Sequence, residues 1–189
     1  MVQRPNLTID HFWKLVQEHQ VPGVHVELRN GLPVQRIIDD TTQTLTAHIT
    51  SLLLDYIRPR KLGQVVNHTG FYRARDAQNV RVPHVAFVSF ERTQPLTKQG
   101  FTPYMPDIAV LIQQDEGDTM TVAESALFFL KNGSALVWIV HPESRSVDVC
   151  TRSPRKTFRV YKVPSDGTLG GGDILPGFSL SVEEIFTDA

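Results

Sequence analysis

The stretch VRVPHVAFVS, Val80 to Ser89, decides the fold when it is read with the segments on its C-terminal side. From Val82 to Val149 the chain continues through MPDIAVLI (Met105–Ile112), a helical run to Gly133, and ALVWIVHPESRSVDV (Ala135–Val149). Two short apolar strands each begin at a proline followed by a polar residue, Pro83-His84 and Pro106-Asp107. Their near-continuous apolar runs suit buried strands. The helix from Asp118 or Thr119 offers Val122, Ala126, Phe129 and Leu130 to a core, and Gly133 suits its C-terminal cap. ALVWIVHP and SVDVCTR then read as third and fourth strands, with KTFRVYKV as a fifth.

Working outward, Thr8 can cap a helix over Ile9–His19, ended by Pro22-Gly23. VHVELRNGLPVQRI reads as a hairpin turning at Asn30-Gly31, residues that tolerate positive φ. Glu27 sits mid-strand, either as a solvent-face carboxylate or as part of a site. Asp39-Asp40 start a helix over Thr42–Ile57, and Pro59 is expected to stop it. His48 falls near its apolar stripe as a boundary residue. GQVVNHTGFYRAR makes one or two strands, and Phe90–Tyr104 reads as a mobile polar loop. GTLGGGD reads as a flexible turn, with no Lys-Ser or Lys-Thr to make a nucleotide loop. LPGFSLSVEEIF ends in a turn and a short amphipathic helix. The pattern predicts one α/β (α+β) domain over residues 1–189, a mixed sheet flanked by helices, with an N-terminal helix and hairpin.

The totals narrow the function classes. The 189 residues are 41% hydrophobic and 21% charged with a net charge of −1, so no overall basic field holds nucleic acid. Local phosphate contacts remain open at Arg58, Arg60 and Lys61 and at Arg73 and Arg75. The single cysteine, Cys150, lies in an alternating strand and reads as packing; it excludes a disulfide framework and a Cys-rich zinc site. No apolar run reaches about 18 residues, and the N-terminus lacks a signal-peptide core, so a cytoplasmic protein without a membrane span is expected.

Metal-dependent phosphodiester cleavage needs acids converging on a divalent cation. Asp107 qualifies in type; His84 is a poor magnesium ligand. Asp115, Glu116 and Asp118 form an acidic cluster that reads as solvated loop. No acid precedes a lysine by two positions, no Gly-x-Ser-x-Gly elbow occurs, and the seven histidines make no His-Glu-x-x-His.

In order and spacing, VELRNGLPV, VRVPHVAFVS, MPDIAVLI, the helix into FFLKNG, VWIVHPESRSVDV and DILPGFSLSVEEIF together resemble a bacterial restriction endonuclease-like family of the PD-(D/E)xK nuclease superfamily. The resemblance implies a restriction-endonuclease-like core, magnesium-dependent cleavage of DNA, and a homodimer. It places the family's catalytic Asp, Glu and Lys on His84, Leu111 and Ser125, and an Asp before the later hairpin on His141. Glu27 and Asp107 match the family. Imidazole, isobutyl and hydroxyl groups cannot replace two carboxylates and an ammonium. The resemblance therefore implies a degenerate centre that holds no metal or other cofactor, in a binding or assembly module with DNA a possible partner. The alternative is an active phosphodiesterase with a migrated metal site on Glu27, His84 and Asp107, helped by Glu124 or the loop acids.

Overall fold

The computed structural model describes residues 7–18, 24–91, 96–97, 99–115, 119–153 and 157–187. Pro22-Gly23, Glu116 and Asp118 lie outside them. The elements run α1 (Ile9–Glu18), β1 (Val24–Arg29), β2 (Leu32–Ile37), α2 (Asp40–Arg60), β3 (Gly63–Asn67), β4 (Phe71–Tyr72), β5 (Val80–Arg81), β6 (Val85–Ser89), β7 (Ile108–Ile112), α3 (Thr119–Asn132), β8 (Leu136–His141), β9 (Ser146–Arg152), β10 (Phe158–Val163), β11 (Thr168–Gly171), β12 (Leu175–Ser181) and α4 (Val182–Ile185).

A six-stranded mixed sheet in the order β10-β9-β8-β7-β6-β3 forms the centre. Its one parallel pair, β7 with β8, is joined by α3, as a parallel connection requires. Strand alternation splits the core between the two faces. Val85, Phe87, Ile108, Val110, Trp138 and Val140 pack with the α2 stripe Leu45, Ile49, Leu53 and Ile57. Ala86, Val88, Ala109, Leu111, Val137 and Ile139 pack with Val122, Ala126, Phe129 and Leu130 of α3. The mixed sheet flanked by helices is thus as the sequence predicts.

Four local readings change. VRVPHVAFVS is two strands, not one. Pro83 withholds a backbone donor, and the chain switches from β5 in a four-stranded sheet (β2-β1-β5-β4) to β6 in the central one. Pro59 does not stop α2, which runs one residue further to Arg60. Lys61, left-handed at φ 52°, ends it, its N–H reaching the Arg58 carbonyl. GTLGGGD is no flexible turn: it supplies β11, paired antiparallel with β12. Gly171 is needed there for close approach, since a Cβ would lie 2.4 Å from the Leu175 Cβ. The polar loop before Tyr104 contributes core. Phe101 is buried and stacks on Phe12 of α1 at 5.2 Å, and Thr102 bridges Phe71.

The ends behave as their chemistry dictates. Asp39 caps α2 by accepting from the Thr42 N–H. Asn30 and Gly31 turn the β1–β2 hairpin at φ 50° and 76°. Glu184 accepts from the Ser181 N–H at the start of α4. No helix among the described residues is long and apolar enough to cross a membrane.

Candidate functional site

The candidate centre lies where the β5–β6 break, β1, β7 and α3 meet. The His84 N–H donates to the Val110 carbonyl at 3.0 Å, so His84 sits at the start of β6 beside β7, next in line to Leu111. Leu111 packs in the cluster with α3, which carries the buried Ser125. Glu27 comes from β1, and its Oε1 accepts from the Val82 N–H at 2.9 Å, two residues before His84. The fold therefore gathers Glu27, His84, Leu111 and Ser125 from three separate layers.

Glu27 is no solvent-face carboxylate; it is 4% exposed. Its Oε2 accepts from Arg29 Nε and Nη2 at 2.9 and 2.7 Å, and Arg81 Nε stands 4.0 Å away. Arg29 Nη2 also reaches Ser125 Oγ at 3.4 Å. Arg81 donates through Nη1 to the Leu28 carbonyl, and its guanidinium lies 5.0 Å from the centre of the Phe128 ring. Burial pulls its pKa below the ordinary guanidinium value, and the charge of Glu27 opposes that pull. Glu27 is thus bonded by one guanidinium and approached by a second, and Glu124 and Asp76 also act on Arg81.

His84 is 4% exposed, and its Nδ1 accepts from the Ile112 N–H at 3.0 Å. An imidazole that accepts at Nδ1 carries its proton on Nε2 when neutral. Neither nitrogen then has a lone pair free for a metal, whereas ligating histidines donate through the second nitrogen. His25 and His68 crowd the same ring, with centroids 5.9 and 6.5 Å from His84 and 4.0 Å from each other. Burial, then repulsion from His25, Arg36 and His68, holds His84 well below the usual histidine range. Burial, then repulsion from His68 and Arg36, brings His25 to about 4, and burial lowers His68. His68 has a left-handed φ of 52°, uncommon for a residue with a side chain.

Leu111 is 4% exposed in a closed apolar cluster with Ala86, Ala109, Ala126 and Ile139. The structure does not bring Asp107 to this place. Its Oδ2 accepts from the Ser89 N–H at 2.8 Å, at the far end of β6. Five strand residues, roughly 16 Å, separate Ser89 from His84. Asp107 instead borders a depression of about 260 Å³ with Ser89, Glu91 and Asp173. Magnesium needs several oxygen ligands, and the centre offers one carboxylate already bonded to Arg29. The residues at these positions do not fit the ion that the resemblance implies. Among the described residues, no group of three or more His, Cys, Asp or Glu side chains is placed to hold a metal.

Glu124 is exposed on α3 and Asp115 lies in the loop after β7. His141 ends β8 between Gln113 Oε1 at 2.7 Å and Asp148 Oδ2 at 2.9 Å, beside a separate depression of about 420 Å³. His48 bonds the Ile185 carbonyl at 3.2 Å, tying α2 to α4. Cys150 is buried, and burial followed by the charge of Asp148 pushes its thiol up to about 11. Exposed Arg58, Arg60 and Lys61 precede β3, whereas exposed Arg73 and Arg75 follow β4 beyond its other end. The structure does not unite them as one patch. Arg60 is also engaged, donating to the Tyr56 carbonyl and lying 3.9 Å over that ring.

Sequence reasoning missed Arg29, Arg81, His25 and His68. Arg29 had a signal, because residues two apart on a strand share a face and so pair with Glu27. The others meet only through non-local contacts.

The architecture is that of a nuclease-like fold. A crystal structure of "a putative nuclease belonging to DUF820" from Anabaena variabilis superposes with a TM-score of 0.77 at 18% identity, covering 96% of this chain and 98% of that one. The model of the family described as "Uma2: Putative restriction endonuclease" matches residues 12–183, and the chain belongs to that family. No curated protein matches it.

Proposed function

We propose that this chain keeps the nuclease scaffold without magnesium-dependent phosphodiester cleavage and acts as a binding or assembly module. The observation that carries the reading is the Glu27–Arg29 ion pair reaching Ser125. A guanidinium engages the Glu27 carboxylate, which leaves it poorly placed to hold a cation. Leu111 in its apolar cluster supports the same reading, because that position offers no ligand atom. His84, an acceptor at Nδ1, adds no ligand.

A migrated centre on Glu27, His84 and Asp107 would need side chains that here lie at opposite ends of β6. DNA is the partner class that the family suggests, and the separate basic groups would contact it as two small patches.

The test incubates purified protein with plasmid and single-stranded DNA in magnesium and in manganese. No cutting above that of a mock purification is expected. Metal-dependent cutting that co-purifies with the chain and disappears in Glu27→Gln would sink the proposal. A gel shift across a salt series tests DNA binding separately.

A further inference from the structure

We propose that His25, His68 and His84, backed by Arg36, form an oxyanion site that takes a phosphoryl group, free or carried on a nucleic-acid backbone. The inference does not depend on whether the centre cleaves DNA.

The fold brings the three rings together from separate elements. His25 lies on β1 directly opposite Arg36 of β2, His68 follows β3, and His84 precedes β6. Directly opposed residues of a ladder share a face. The His25 ring is the hub, 4.0 Å from His68 and 5.9 Å from His84 between centroids. His68 reaches the cluster from a left-handed backbone, φ 52°. Backbone strain of this kind persists where the surroundings enforce it, and it gathers at ligand sites.

The ring nitrogens point to a ligand. The Ile112 N–H occupies Nδ1 of His84, so the proton sits on Nε2. Among the described residues nothing accepts from that Nε2, and nothing hydrogen-bonds the rings of His25 and His68. None of these nitrogens is among the polar atoms that the fold seals from solvent without a partner. A side chain that is 4% exposed thus turns an unused donor towards accessible space, beside two further rings without hydrogen bonds.

Charge selects the ligand. The charges that act on His25 and His84 are those of the companion histidines and Arg36, all of one sign. Glu27 shares the face of β1, but its two oxygens are taken by Arg29 and the Val82 N–H. The loop after β7 meets the hairpin through Gln114, which bonds the Ile37 carbonyl, and its described acid is the exposed Asp115. An oxyanion accepts N–H groups from neutral imidazoles and is held more strongly by their protonated forms. A metal would need ring lone pairs, and His84 has none to give. Binding an anion therefore draws protons onto the cluster, and affinity rises as the pH falls.

Titration of the histidine ring resonances with sodium sulfate, against sodium chloride at equal ionic strength, tests this. Sulfate keeps its charge across the range used, so any pH dependence belongs to the protein. At pH 6 the rings of His25, His68 and His84 should shift saturably, while those of His48 and His141 stay still. Affinity should tighten severalfold from pH 7 to pH 5.5. His68→Gly removes a ring and accepts the left-handed backbone, so it should fold and lose most of the response at His25 and His84. Inorganic phosphate should act as sulfate does. A duplex oligonucleotide without terminal phosphates identifies the source: competition with sulfate assigns the site to a nucleic-acid backbone, and no competition assigns it to a free phosphoryl group. Equal shifts in chloride, an affinity indifferent to pH, or an unchanged response in folded His68→Gly overturns the proposal.

Discussion

At the residue scale, Glu27 shows how a buried carboxylate is satisfied by protein donors alone. It accepts one backbone N–H and two bonds from one guanidinium, with a second guanidinium nearby. Removing one partner of a buried pair leaves an uncompensated charge, which costs about 3–5 kcal/mol. Arg81 remains in this case, so Arg29→Ala should lose about 2 kcal/mol in urea unfolding, below that range. Arg29→Ala combined with Glu27→Gln should lose less than Arg29→Ala alone. If the double variant is the less stable of the two, the ion pair is not what holds this corner together. The three histidines give a pH signature. Their folded pKa values lie below 6.5, so between that value and the folded values the unfolded chain binds more protons. Their contribution to stability is whole above about pH 6.5 and falls away as the medium is acidified towards the folded values. Melting temperature should drop from pH 7 to pH 5. His84→Asn, which can keep an acceptor for the Ile112 N–H, should flatten that slope; an unchanged slope would place the acid sensitivity elsewhere.

At the element scale, the C-terminal hairpin turns a glycine-rich segment into structure. Gly171 faces the Leu175 Cβ at 2.4 Å and its carbonyl at 2.8 Å from an added Cβ, so the two strands touch through backbone. Leu169, Leu175, Phe178 and Leu180 are thereby buried against α2. Gly171→Ala should cost about 2–3 kcal/mol in thermal unfolding, the upper part of the usual cost of overpacking. Gly172, with nothing within 4 Å of its added Cβ but a φ of +57°, should cost about 1 kcal/mol as alanine, through backbone strain alone. Equal effects at the two positions would contradict the close approach. The same elements show what was legible. Strands rich in Val and Ile, the Asn30-Gly31 turn and the caps at Asp39 and Gly133 were readable because the signals are local. The break inside VRVPHVAFVS was half visible in Pro83, but apolar residues on both sides masked the change of sheet. The glycines after Thr168 look alike in sequence whether they permit motion or close contact, and Leu175 decides between the two. At the candidate site, His84, Leu111 and Ser125 were legible only through the family's order. The pairing of Glu27 with Arg29 was available from strand periodicity. The encounter of His25, His68 and His84 depends on how β1, the end of β3 and the start of β6 meet, which no local pattern encodes.

At the scale of the whole molecule, the centre exists only because separate layers dock. Glu27 belongs to the four-stranded sheet, His84 and Leu111 to the central sheet and its entry, and Ser125 to α3. Such a scaffold can lose its chemistry residue by residue while its two apolar faces keep their packing. The centre is therefore open to reversal. The combined variant Arg29→Ala, His84→Asp, Leu111→Glu and Ser125→Lys removes the guanidinium and returns two carboxylates and an ammonium to the positions that the family resemblance assigns. Burying these charges destabilises the metal-free variant, because unpaired carboxylates are costly in an apolar setting. A ligand that binds only the folded state returns stability by about 2.7 kcal/mol at a hundred times its Kd. Manganese should therefore raise the melting temperature of the combined variant by several degrees and leave the wild type unchanged. The wild-type arm tests the proposed loss of the cation site, and the variant arm tests whether the scaffold still converges on it. A wild type stabilised by manganese to the same extent would show that Glu27 holds a cation despite Arg29. A variant that folds but ignores manganese would show that the layers no longer meet as the family's centre requires.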